Sequence, residues 1–303
     1  MAIRKKRKPV KRRGVVGGTS QSAFAGEAMS RIVNQKPLPS GDKMASSPFD
    51  LTGKVALITG GNGGIGLGFA KGIAAAGGDV VIWGTNETKN ETALAELKTF
   101  GTRVAAMQCD VSDPDAVESN FNAILDDFGR VDGCFANAGI GGGGPNFDEL
   151  PDENWRQIMS VNLDGVFYTF KKAAGHMRKR AEAGDPGGRL VGTTSLSSWS
   201  GAPRSTHYAS TKGAMNSMIR SLAVGYARWG VTAHTVMPGW VETAMTEGNF
   251  GNPRFVDNVL KRVPMRRWGT PEDFSGLAVY IMSDASAYHT GDNFLIDGGY
   301  WIF

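Results

Sequence analysis

The sequence predicts an α/β protein, a single doubly wound domain whose seven-stranded parallel sheet is flanked by helices. Three observations predict it. From Lys54 onward, short β-branched runs alternate with longer amphipathic stretches. A glycine-rich turn follows the first of those runs and leads at once into a helical pattern, and the 42 glycines cluster beside apolar runs. Strands joined through helices must be parallel, right-handed crossovers cover both faces of the sheet, and ligands then gather at the carboxyl ends of the strands.

Strands are expected at 55–59, 80–83, 104–108, 133–136, 189–193, 232–237 and 293–296. The stretches 65–76, 88–100, 114–128, 154–177, 208–229 and 271–283 are each long enough to serve as a crossover helix. No internal repeat is visible, and Gly141–Gly144 reads as a flexible loop.

At 303 residues, 41% hydrophobic and 20% charged, the chain fits one large domain better than two small ones. Its formal charge of +4 conceals a division: the first 43 residues hold 11 Lys/Arg against 2 Asp/Glu, and the remaining 260 hold 22 against 27. Residues 1–43 are expected to be a basic, disordered tail, or sequence upstream of a natural start at Met44-Ala45-Ser46-Ser47-Pro48, with the folded domain over 44–303. A basic run from Arg4 to Arg13 could meet nucleic acid or an anionic surface, but the acidic body argues against a nucleic-acid binder. No apolar segment follows it as in a secretory signal, and no apolar run is long enough to span a bilayer. Cys109 and Cys134 sit in apolar stretches without metal-ligand spacing, so buried free thiols, a reducing cytoplasmic setting and no metal site are expected.

The turn Thr59-Gly60-Gly61-Asn62-Gly63-Gly64-Ile65-Gly66 lets the backbone approach a pyrophosphate, whose charge the N–H groups and dipole of the new helix would stabilise. After the second strand an acidic residue would hold an adenosine ribose and an Arg would attract a 2′-phosphate; Gly84-Thr85-Asn86 offers neither. Asp110 and Val111, after the third strand, are placed to meet the adenine, and Asn137-Ala138-Gly139, after the fourth, the ribose side.

Tyr208 and Lys212 stand four apart and share a helix face. A free phenol is a poor base at neutral pH, and a nearby ammonium favours its ionised form. Ser195, thirteen residues upstream at the end of the fifth strand, could hold a substrate oxygen beside the phenol. Asn162 lies within a predicted core helix, where an interior Asn costs stability and invites a reason.

With these motifs in this order, the chain from about Thr52 to Gly299 resembles the short-chain dehydrogenase/reductase family. The resemblance rests on Thr59–Gly66, Asn137-Ala138-Gly139, Asn162, Ser195, the Tyr208/Lys212 pair, Pro238-Gly239-Trp240-Val241-Glu242-Thr243, Thr290-Gly291 and Asp297-Gly298-Gly299. It implies a Rossmann-type NAD(P)-binding domain that moves a hydride between the cofactor and a secondary alcohol or ketone. Tyr208 would be the acid/base, Ser195 would hydrogen-bond the substrate oxygen, Lys212 would contact the nicotinamide ribose and lower the Tyr208 pKa, and Asn162 would keep a relay water. Gly60, Asn62, Gly64, Ile65, Gly66, Thr85, Asp110, Val111, Asn137, Ala138 and Gly139 would line the adenine half of the cofactor. Pro238, Gly239, Val241 and Thr243 would seat the nicotinamide.

The departures bear on cofactor choice. Members preferring NADP often carry a base where this chain has Gly63 or Thr85, and the acidic residue of NAD enzymes is missing at Gly84, which leaves a slight lean to NAD. Specificity is expected from the stretch 242–265 as a lid, from Trp199, His207 and Trp240, and from the loop 141–147. The apolar end Tyr300-Trp301-Ile302-Phe303 suggests burial between subunits, and the family's habit implies a homotetramer. The small-molecule substrate is not specified. A 3-oxoacyl-thioester (acyl carrier protein) reductase, docking an acidic carrier on Arg262, Arg266 and Arg267, is an alternative, and a catalytically silent cofactor-sensing binding protein is another of a different class.

Overall fold

The computed structural model describes residues 47–303, so the expected basic tail over 1–43 lies outside the described residues. Seven strands run parallel: β1 (Val55–Thr59), β2 (Asp79–Gly84), β3 (Val104–Gln108), β4 (Gly133–Ala136), β5 (Gly188–Thr193), β6 (Val231–Pro238) and β7 (Asn293–Ile296). Their order is β3-β2-β1-β4-β5-β6-β7, so the winding reverses between β1 and β4. That reversal opens a crevice at the carboxyl ends of these strands, beside the glycine turn. Central strands are buried on both faces and read as continuous apolar runs, whereas β3 and β7, at the edges, are only partly covered.

The helices are α1 (Gly64–Ala75), α2 (Glu87–Lys98), α3 (Pro114–Phe128), α4 (Asp152–Met159), α5 (Gly165–Glu182), α6 (Thr206–Tyr226), α7 (Glu247–Phe250), α8 (Pro253–Leu260) and α9 (Ser275–Met282). Local chemistry sets several of their ends. Asn86 caps α2 by accepting from Lys89 N at 2.9 Å, and Asp113 caps α3 with Pro114 in its first turn. The two faces of the sheet carry separate cores. One packs Leu57, Trp83, Phe170, Leu190 and Met215 beneath α3, α5 and α6; the other packs Ile58, Phe69, Phe135, Phe274 and Ile281 beneath α1 and α9.

One expected helix divides. The stretch 154–177 is α4, a π turn at Ser160–Asp164, and α5, which runs on to Glu182. The side chain of Asn162 explains the interruption. Its Oδ1 accepts from Ile140 N at 2.8 Å and its Nδ2 donates to Ile140 O at 2.9 Å, so it pairs with the backbone after β4. An extra residue in a helical turn is the usual way to swing one side chain to such a partner. The lid stretch holds the short helices α7 and α8, with Phe250 stacked on Trp268 at 4.4 Å. Both cysteines are free and buried, and desolvation pushes the Cys109 thiol up to about 12. No helix among the described residues is long and apolar enough to cross a membrane.

Candidate active site and cofactor cleft

At the start of α1, Gly63 occupies the cap position and no side chain bonds the first N–H groups of the helix, in contrast to α2 and α3. Those N–H groups carry the positive end of the helix dipole and are suited to a pyrophosphate. Apart from Gly63, whose Cβ position is open, the turn is tightly packed. A Cβ on Gly66 would lie 2.3 Å from Gly60 O and 2.5 Å from Asn137 Nδ2. Asn62 Nδ2 ties the turn to Asn90 Oδ1 at 2.7 Å.

Thr59 Oγ1 accepts from Asn137 N and Ala138 N, both at 3.0 Å, which locks β1 to β4 at the crevice. Asn137 was expected to face a ribose. Its side chain is instead committed to the protein, donating to Thr59 O and Gly60 O at 3.2 Å and accepting from Thr193 Oγ1 at 3.0 Å. What Asn137 offers a cofactor is a fixed backbone. Gly139 lies next along this turn, its Cβ position 3.2 Å from Asn162 Oδ1 and 3.7 Å from Lys212 Nζ. After β2, the carbonyl of Thr85 accepts from Gln108 Nε2 at 3.0 Å. After β3, Asp110 Oδ1 accepts from Ser112 N at 2.9 Å and from Ser112 Oγ at 2.7 Å, and Val111 packs against Gly165.

Across the crevice, Pro238 ends β6 and Gly239 N donates to Ile296 O at 2.8 Å. Val241 bridges to Gly269, and Thr246 Oγ1 donates to Val241 O at 2.5 Å while accepting from Thr243 N at 3.1 Å. This turn reaches both sides of the cleft. The Thr243 methyl stands 3.1 Å from the Cβ position of Gly64, and Met245 Cγ stands 3.3 Å from that of Gly141.

The reacting end is built on α6 and the end of β5. Tyr208 and Lys212 share a face of α6, and Lys212 Nζ lies 5.5 Å from the centre of the Tyr208 ring. Lys212 is buried, and its ammonium donates to Thr193 O at 2.8 Å. Burial brings its pKa down to about 8, so it is still mostly charged at neutral pH and titrates just above it. Tyr208 is held above the ordinary phenol value by desolvation, with a hydrogen bond from the Ser195 side chain pulling the other way. Desolvation is the largest influence on the phenol, and the Lys212 ammonium one turn away is bonded to Thr193 O. Ser195, Tyr208, Lys212 and Asn162 nevertheless meet at one end of the sheet, with Gly139 between the last two.

The loop 141–144 closes over this group. Ser205 Oγ donates to Gly142 O, and a Cβ on Gly142 would meet Tyr208 Cβ at 2.5 Å and His207 Cε1 at 3.2 Å. The loop 141–147 was expected to bear on specificity, but nothing in a run of four glycines marks Gly142 as the one that touches the helix. Gly142→Ala is expected to lift the loop from α6 and lower kcat/KM by roughly 10- to 100-fold, the scale of a 1 Å misplacement, with stability nearly unchanged; steady-state kinetics beside a thermal melt checks it.

His207 is buried, consistent with a packing role beside Tyr208. The two tryptophans expected to wall the substrate are partly engaged elsewhere. Trp240 packs edge-on against Phe255 at 4.8 Å, and Trp199 lies 5.7 Å from Trp301. An open depression of about 540 Å³ is formed by the 242–265 stretch itself, lined by Phe250, Pro253, Val256 and Leu260, and shares no residue with the Ser195/Tyr208 site.

Fold, crevice and Ser/Tyr/Lys/Asn cluster define a nicotinamide-dependent oxidoreductase, and the comparisons with known proteins agree. The family model described as enoyl-(acyl carrier protein) reductase matches residues 60–301. Gluconate 5-dehydrogenase of Gluconobacter oxydans is 35% identical, the match covering 83% of this chain and 96% of that protein. A sorbose reductase of Candida albicans is 33% identical over 83% of this chain and 88% of its own length. Among solved structures, a gluconate 5-dehydrogenase from Burkholderia cenocepacia in complex with NADP and tartrate superposes with a TM-score of 0.79 at 32% identity, covering 84% of this chain and 98% of that one. The chain belongs to the short-chain dehydrogenase/reductase family and is an NAD(P)-dependent oxidoreductase acting on CH–OH groups.

Proposed function

We propose that the protein interconverts a secondary alcohol and its ketone on a small polyhydroxylated substrate, a sugar acid or polyol, with Tyr208 as the acid/base. The observation that carries this reading is the junction of Ser195, Tyr208 and the buried Lys212 at the mouth of the cleft. The bound nicotinamide supplies or accepts the hydride. Ser195 orients the substrate oxygen, and the Tyr208 phenol, kept protonated by burial, donates its proton to that oxygen as a carbonyl is reduced. Lys212 holds a positive charge behind the phenol and stabilises the phenolate left by proton transfer. Asn162, whose amide is paired with Ile140, keeps a second lone pair on Oδ1 for a relay water.

The cleft residues fit a dinucleotide: the uncapped start of α1 and the Gly60–Gly66 turn take its pyrophosphate, Thr85, Asp110 and Val111 its adenosine end, and Pro238, Gly239, Val241 and Thr243 its nicotinamide end. With no cation at Gly63 or Thr85, our reading leans to NAD, although the Burkholderia relative holds NADP. The sugar-acid and polyol class is drawn from the names of the relatives. In the basic patch of the acyl-carrier alternative, one cation is balanced by a carboxylate and the other two bond neutral oxygens. Arg267 is paired with Asp273 at 2.6 Å, Arg262 bonds the Tyr300 hydroxyl at 2.9 Å, and Arg266 Nη1 bonds Lys261 O at 2.5 Å. We place the protein in the cytoplasm as a homotetramer, on the strength of two free buried thiols and of the exposed apolar residues Val224, Ile302 and Phe303.

A screen of sugar acids, polyols and their keto forms with each cofactor, read by absorbance of the reduced nicotinamide, tests the reading. Turnover of at least one pair is expected. Cofactor binding without turnover of any pair would favour the silent, cofactor-sensing alternative, and a tenfold preference for NADP would overturn the lean to NAD.

A further inference from the structure

One turn of α6 beyond Lys212, on the same face, stands Asn216. It is 4% exposed, its Nδ2 donates to Ser198 Oγ at 2.9 Å, and its Oδ1 has no partner among the described residues. Ser198 Oγ donates in turn to Ser195 O at 2.7 Å. A hydroxyl has one proton, so Ser198, having given it to Ser195, can only accept from Asn216. The polarity of the chain is therefore fixed from Asn216 through Ser198 to Ser195.

Ser195 itself starts the short 3₁₀ turn Leu196–Ser198, its own Oγ accepting from Ser197 N at 3.2 Å. That turn hangs between β5 and α6, and the side-chain bond from Asn216 ties it to the helix carrying Tyr208. An apolar side chain would fill this buried place without leaving an amide oxygen unpaired, which is costly. What Asn216 supplies here is its donor.

We propose that Asn216 is a positioning residue, which through Ser198 sets the separation between the Ser195 hydroxyl and the Tyr208 phenol. This rests on the reading of Ser195 and Tyr208 as the reacting pair. Asn216 touches neither substrate nor cofactor; it holds the turn that presents Ser195.

The test compares Asn216→Leu and Ser198→Ala, singly and together, in the parent and in a Ser195→Ala background. Readouts are kcat, KM, the pH profile of kcat and thermal melting. In the parent, each substitution is expected to lower kcat by roughly 10- to 100-fold with KM little changed, and the double variant should be no slower than either single one. The limb of the pH profile that reports Tyr208 should move to higher pH, since a loosened Ser195 no longer favours the phenolate. In the Ser195→Ala background neither change should slow the residual rate further, and Ser198→Thr, which keeps the hydroxyl, should recover most of the loss. If Asn216→Leu does not fold, Ser198→Ala reads the same link. Equal slowing in both backgrounds, or a lower melting temperature with unchanged kcat, would overturn the inference alone. Turnover surviving Tyr208→Phe would instead overturn the reading of the site.

Discussion

Tyr208→Phe should lower kcat by roughly 10²- to 10⁴-fold, the usual contribution of a positioned general acid or base, while the affinity for the nicotinamide cofactor changes little. The ring stays, so its packing under Gly142 and beside Lys212 is kept. Only the proton is lost. A hydride cannot be delivered to a carbonyl carbon without protonation of the oxygen as its charge develops, and the described cluster offers poor substitutes. Ser195 is a far weaker acid than a phenol, and Lys212 points its ammonium to Thr193 O. Cofactor binding measured by fluorescence, beside turnover, separates the two effects. Activity within threefold of the parent would remove Tyr208 from the mechanism.

The features legible in the sequence were those with short-range signatures. Seven β-branched runs became seven parallel strands because each is buried on both faces or at an edge, where alternation and continuity show in the residues themselves. Tyr208 and Lys212 were legible because a spacing of four guarantees a common helix face. From its residue type alone Asn162 was legible only as an anomaly, its relay role coming from the family resemblance. Its π turn depends on Ile140, 22 residues away in sequence, and no local periodicity encodes a partner at that distance. At Asn137 the sequence did not show that its side chain is used by Thr59, Gly60 and Thr193, a bond set that only the strand order reveals. Ser198 and Asn216 escaped because a serine and an asparagine near a helix look like ordinary surface. The available clue was Asn216 at twice the Tyr208/Lys212 spacing.

The pH dependence of stability should carry the mark of Lys212. Its pKa falls from 10.5 to about 8 on folding, so the folded protein releases a proton there while the unfolded chain still binds one. Between those values stability rises with pH, by at most about 1.4 kcal/mol per unit and about 3 kcal/mol across the window. Below pH 8 both states are protonated and the full cost of a buried ammonium is present; above 10.5 it is gone. Lys212→Met removes this group and should flatten the rise by that amount, whatever it does to stability at pH 7, where the loss of the bond to Thr193 O opposes the relief of desolvation. The same variant should lose at least about 100-fold in kcat if Lys212 stabilises the phenolate. Denaturant unfolding of parent and variant from pH 7 to 10.5 gives the difference directly. Parallel curves would show that Lys212 does not titrate in this range. The burial that makes Lys212 expensive to the fold also removes the water that would screen its charge from Tyr208, and a loss of kcat in Lys212→Met would show that this charge is used.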